Sequence, residues 1–168
     1  FDITFGSDAL ALIDFDAGGT GSFANEPSPN TVLASEGEVK NIFINVPSGF
    51  SGELSFYYAG VGLAVNIYDA TGGTGNLLAS TTLDHSGLTC SGDPNPDPAY
   101  CWKFAAIPFS GLAKSVGFIG GSGIFGWDVD LDNITLGARE PGGVPEPATL
   151  SLLGLGLAGL AWRRKFSA

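Results

Sequence analysis

Val61-Gly62-Leu63-Ala64-Val65-Asn66-Ile67-Tyr68 places Val61, Leu63, Val65 and Ile67 at every second position. A period of two belongs to a β-strand, whose successive side chains leave on opposite faces, and not to a helix. Asn41-Ile42-Phe43-Ile44-Asn45-Val46 repeats the pattern, with Ile42, Ile44 and Val46 in one row. Asp69-Ala70-Thr71-Gly72-Gly73-Thr74-Gly75 then separates Ile67-Tyr68 from Leu77-Leu78. The economical reading is a hairpin whose glycines supply the positive φ of a tight reversal. Asp16-Ala17-Gly18-Gly19-Thr20-Gly21 reads as a similar turn. Neither loop opens a helix or contains a lysine, which argues against a phosphate cradle.

Outward from these stretches, strands are predicted over residues 1–5, 9–15, 31–34, 39–46, 53–59, 62–69, 77–83, 101–109, 115–119, 124–129 and 131–136. No segment before residue 148 carries a helical period. Many short strands joined by glycine turns predict an all-β fold, an antiparallel two-sheet sandwich of jelly-roll type. The composition agrees: 44% hydrophobic and 14% charged, with 26 Gly, is too apolar for disorder and too poor in charge for helical bundles. At 168 residues one domain plus an appendage fits. The predicted division is a sandwich over 1–139, a Pro/Gly linker over 140–147, and a hydrophobic helix with a basic cap over 148–168.

A formal net charge of −10 opposes nucleic acid as a partner. Residues 1–143 alone hold 16 acidic against 4 basic residues, a formal −12. The chain starts at Phe1 in a strand-like stretch and contains no Met, which reads as a processed chain whose export signal is gone. Cys90 and Cys101 bracket a Pro- and Asp-rich loop with no metal-ligand spacing. The expectation is a disulfide made outside the cytoplasm, contributing about 3 kcal/mol; the alternative is two buried thiols.

The C-terminal stretch is the most informative. Val144-Pro145-Glu146-Pro147 is followed by a fifteen-residue apolar run, residues 148–162, and then by Arg163-Arg164-Lys165. This tripartite pattern resembles the PEP-CTERM sorting signal. The resemblance implies recognition by an exosortase, cleavage near the motif, and delivery to the cell surface or extracellular matrix of a Gram-negative bacterium. Independently, fifteen residues make a helix of about 22 Å, short of the roughly 30 Å hydrocarbon core. Such a helix is a marginal, transient inner-membrane anchor, and its basic cap would stay on the cytoplasmic side. Gly154, Ala158 and Ala161 form a small-residue face that invites close helix packing. A retained tail needs its apolar surface covered, and packing with tails of other copies into a homopolymer, a filament, is the simplest cover.

Asp128-Val129-Asp130-Leu131-Asp132-Asn133 is the best candidate for chemistry, because alternation puts Asp128, Asp130 and Asp132 on one side of a strand. A hard cation with oxygen ligands would relieve their repulsion. The stretch resembles the closing strand of jelly-roll carbohydrate-binding modules, in which an Asp-rich segment helps hold a structural calcium. That resemblance implies calcium here, completed by Asp8, Asp14 or Asp16; the alternative is a solvated edge strand. Tyr57, Tyr58, Tyr68, Tyr100, Trp102 and Trp127 are candidates for stacking on sugar rings, with Tyr100 and Trp102 the best placed beside the Pro-rich loop. Catalysis finds little support: the single His85 lies in Asp84-His85-Ser86, whose adjacent side chains point in different directions and cannot form a triad. The expected function is a non-enzymatic surface or matrix protein, either a self-assembling structural subunit or a binder of matrix polysaccharide.

Overall fold

The computed structural model describes residues 2–21, 23, 25–35, 41–60, 62–86, 88–90, 99–120 and 129–137. The chain divides into Phe1–Ala138 and Arg139–Ala168. Everything described falls in the first unit; the predicted C-terminal helix and the motif before it lie outside the described residues.

Among the described residues twelve strands carry the fold: β1 (Thr4–Phe5), β2 (Ala9–Ile13), β3 (Thr31–Ser35), β4 (Asn41–Phe50), β5 (Glu53–Gly60), β6 (Leu63–Tyr68), β7 (Leu77–Leu83), β8 (Leu88–Cys90), β9 (Ala99–Tyr100), β10 (Lys103–Pro108), β11 (Ala113–Gly120) and β12 (Val129–Leu136). They form two five-stranded sheets, β1-β4-β11-β6-β7 and β10-β5-β12-β3-β2, and β8 and β9 make a separate two-stranded ribbon. Every pairing between strands is antiparallel. The fold is therefore an all-β antiparallel two-sheet sandwich. From β3 onward the chain alternates between the sheets at nearly every step, so apart from the β6–β7 and β2–β3 pairs the neighbours within each sheet are distant in sequence.

The rows read from alternation become the inner faces. Ile42, Ile44 and Val46 of β4 and Leu63, Val65 and Ile67 of β6 meet Leu54, Phe56 and Tyr58 of β5 and Leu131 of β12, all buried. Phe56 and Phe118 meet edge to face, with ring centroids 5.1 Å apart at 88°, an arrangement that sets positive ring edge against negative face. The β6–β7 hairpin closes as the glycine-rich stretch predicted, through a 3₁₀ turn at Thr71–Gly73. Asp69 clamps the turn, accepting from Asn76 N at 2.7 Å and from Asn76 Nδ2 at 2.8 Å, and these bonds lower its pKa.

Three departures from the sequence reading have local causes. β4 continues to Phe50, past Pro47; its pairing with β11 slips between Ala113 and Ser115, and that irregularity takes up a residue without an N–H. β12 is one strand with no break at Asp130. It also lies between β3 and β5, so it is a central strand and the edge-strand alternative is corrected.

Candidate functional site

The predicted calcium ligands are distributed over two structural settings. On β12, Val129 and Leu131 face the core, while Asp130 stands opposite Ala34 and Ala59 and Asp132 stands opposite Tyr57, on the outer face of the sheet. The Asp132 carboxylate is buried and fully occupied. Its Oδ2 accepts from Ser28 N at 2.6 Å, and its Oδ1 accepts from Ser28 Oγ and from Asn133 N, each at 2.6 Å. Asp132 thus ties the connection between β2 and β3 down onto the sheet, and Asn133 takes a left-handed φ of 50° where the β12–β5 register shifts. Within the same connection Phe23 is buried, as are Val32 and Ala34 of β3. Asp128 lies outside the described residues.

Asp14 and Asp16 sit at the exit of β2, in a loop that folds back on itself. Gly21 N donates to Ile13 O at 2.8 Å, Phe15 N to Gly21 O at 2.9 Å and Gly19 N to Asp14 O at 2.8 Å. The Asp14 N–H donates to Asn30 O at 3.2 Å, joining this loop to the start of β3. Asp14 is 1% exposed; its Oδ1 accepts from Phe15 N at 2.7 Å, and its Oδ2 is buried without a hydrogen-bond partner. Burial, then the neighbouring Asp16 carboxyl, then the more distant charge of Glu26 push the Asp14 pKa up to about 6, against the pull of the Phe15 amide. Two ionised carboxylates offer each other only acceptors, so this pair is satisfied by a shared proton or by a cation. Among the described residues no group of three or more His, Cys, Asp or Glu is gathered to hold a metal.

Other predicted residues fall as follows. Cys101 is half-buried and is not a free thiol; the backbone of Cys90 pairs with Ala99. Trp102 is half-buried. The side chains of Cys90 and Tyr100, and all of Val144, Pro145, Glu146, Pro147, Gly154, Ala158, Ala161, Arg163, Arg164 and Lys165, lie outside the described residues. Ser86 of the Asp84-His85-Ser86 run is buried against β5. Its Oγ accepts from Gly60 N at 2.9 Å and donates to Gly60 O at 3.2 Å, while Asp84 and His85 are exposed. The run staples a loop to a strand.

Sequence reasoning named Tyr57 among the stacking candidates but missed its partner Phe104 on the outer face of the second sheet. Phe104 of β10 and Tyr57 of β5 are register partners, with ring centroids 5.3 Å apart and an interplanar angle of 59°. An open apolar cleft of about 440 Å³ also lies between the sheets, lined by Phe5, Ala9, Leu33, Leu131 and Ile134 among others.

The fold places the protein among sandwich domains of known structure. It is similar to the K2 cleaved adhesin domain of Lys-gingipain, with a TM-score of 0.54 and 15% identity over 81% of this chain and 88% of that one. Weaker likenesses are to the K3 cleaved adhesin domain of Lys-gingipain from Porphyromonas gingivalis (TM-score 0.47, 13% identity, 77% and 90% covered) and to TmCBM61, solved in complex with β-1,4-galactotriose (TM-score 0.46, 13% identity, 80% and 87% covered). At these identities the likeness concerns the fold alone. No curated protein matches the chain. Beyond the sandwich, residues 143–165 match the family model of the PEP-CTERM protein-sorting motif. The chain carries that motif, which implies exosortase processing, export and sorting to the cell surface.

Proposed function

We propose that this protein is a non-enzymatic component of the surface or extracellular matrix of a Gram-negative bacterium, held briefly in the inner membrane by its tail and then released by an exosortase. The observation that carries the reading is the sorting motif at 143–165, placed directly after an acidic β-sandwich. Jelly-roll winding is supported by the alternation of strands between sheets. A Cys90–Cys101 disulfide is supported by the register that sets Cys90 opposite Ala99 and by the absence of a free thiol at Cys101. Intact mass of the protein from its native envelope, with and without the exosortase, tests the proposal. A mass ending near residue 147 only when the enzyme is present supports it, and a full-length cytoplasmic protein with free Cys90 and Cys101 overturns it.

Two additions complete the reading. In copies that retain the tail instead of losing it to the exosortase, self-assembly into a filament runs through the Gly154, Ala158 and Ala161 face, so deleting residues 144–168 abolishes assembly and leaves a folded monomer. Calcium is proposed at the Asp14–Asp16 pair, supported by the unpartnered Asp14 Oδ2. Melting temperature then rises with millimolar calcium in the parent and not in Asp14→Asn.

A second reading, binding of a matrix polysaccharide, is favoured by the pairing of exposed Phe104 with half-buried Tyr57.

A further inference from the structure

Phe104 is 59% exposed although its strand sends Ala105 and Ile107 into the core, so the ring belongs wholly to the outer face of the sheet. Tyr57 lies on the same face, since its strand neighbours Phe56 and Tyr58 are both core residues. Cross-strand register fills in the rest. Ala106, Ser55 and Thr135 form the next row across β10, β5 and β12, and Asp130 stands opposite Ala59 one step to the other side. Adjacent strands are about 5 Å apart, so the two rings, tilted 59° to each other, present an angled apolar patch about as wide as a pyranose ring. The far side is bounded by the connection that Ser28 anchors on Asp132, because Asp132 is itself the β12 partner of Tyr57.

This arrangement has the two components that sugar recognition requires. A pyranose ring presents a face of C–H groups that packs on an aromatic ring, while its rim of hydroxyls needs hydrogen-bonding partners that a purely apolar docking surface lacks. Here the next row over from the rings carries the hydroxyls of Ser55 and Thr135. Three of the four ring pairs among the described residues join at least one buried ring of the core, and the Tyr57–Phe104 pair is the one that joins none. Charge selects further. The domain is strongly acidic, and Lys103, the residue before Phe104, donates from Nζ to His85 O at 2.9 Å. An anionic polymer is repelled from such a face.

We infer that the outer face of the second sheet, centred on Tyr57 and Phe104, binds an uncharged polysaccharide by stacking of its pyranose rings. The inference rests on the carbohydrate-binding reading and adds to it the place and the charge class of the ligand.

Affinity gel electrophoresis of the folded protein tests it, with soluble β-glucan and galactan as uncharged probes and alginate as the anionic one. The expected result is retardation by at least one uncharged probe and none by alginate. The dissociation constant should rise at least tenfold in Phe104→Ala and stay nearly unchanged in Tyr57→Phe, which keeps the ring. Because Phe104 is exposed, the variant should melt with the parent, and that measurement accompanies the binding. Retardation that persists in Phe104→Ala, or is lost only in Trp102→Ala, overturns the patch and leaves carbohydrate binding standing elsewhere. A parent protein retarded by neither uncharged probe overturns both, and stronger retardation by alginate overturns the charge argument.

Discussion

Asp14 and Asp69 show how one side-chain type titrates in opposite directions according to its partners. Asp69 gains donors from Asn76 on folding, so its contribution is present at neutral pH and is lost as pH falls below the ordinary carboxylate value of 3.8. Asp14 is buried against a second carboxyl, and its pKa is about 6, so the folded state binds its proton more tightly than the unfolded chain does. Its contribution is therefore complete below about 4 and is lost as pH rises through about 6. Asp14→Asn keeps an acceptor for the Phe15 amide and removes the charge. Without added calcium it should raise the melting temperature at pH 7 and flatten the stability profile between pH 4 and 6; an unchanged profile would contradict the burial of the Asp14 carboxyl beside the exposed Asp16. Gly117 makes a second residue-scale case. It is buried on β11 in register with Phe43, and a Cβ there would stand 2.7 Å from the Phe43 ring carbon Cε1. Gly117→Ala should cost about 1–3 kcal/mol in urea unfolding. The loss should be partly recovered in Gly117→Ala with Phe43→Leu, because the two sites share one space.

At the scale of elements, the strands whose rows alternate cleanly were legible: β4, β5 and β6 take the positions their apolar spacing required. β10 was not. Trp102, Phe104 and Ala106 alternate with Lys103, Ala105 and Ile107, and neither row is plainly the apolar one, so no periodicity marks Phe104 as the exposed residue. The ligand expectation on β12 failed to resolve for a different reason. Alternation placed Asp130 and Asp132 on one face but carried no sign that a serine 104 positions away would claim Asp132. That claim makes the connection between β2 and β3 part of the sheet. Asp132→Ala strands the Ser28 and Asn133 amides, and bonds to a charged acceptor contribute about 1.5–3 kcal/mol. The variant should lose about that much in chemical denaturation and speed amide exchange at residues 25–30. Normal protection there would show that the Pro-rich connection stands without its anchor.

For the whole molecule, sheet pairing joins the ends of the domain: Leu33 pairs with Leu131, and β5 needs β12 on one side and β10 on the other. Composition and turn spacing announced a sandwich, but the strand order depends on which distant rows fit together, and no local signal encodes that. A time order follows from the wiring. Loop closure over such separations is slow, so a chain of this kind folds in milliseconds to seconds rather than microseconds. A fragment ending at Gly120 lacks the central strand of one sheet and should give a disordered circular dichroism spectrum; a cooperative melt from it would refute this. Since β12 ends at Leu136 and the sorting motif begins at residue 143, the polypeptide that completes the sandwich is followed almost at once by the sorting signal. A domain wired in this way, if exported as an unfolded thread, has its first chance to close only when nearly all of it has reached the far side.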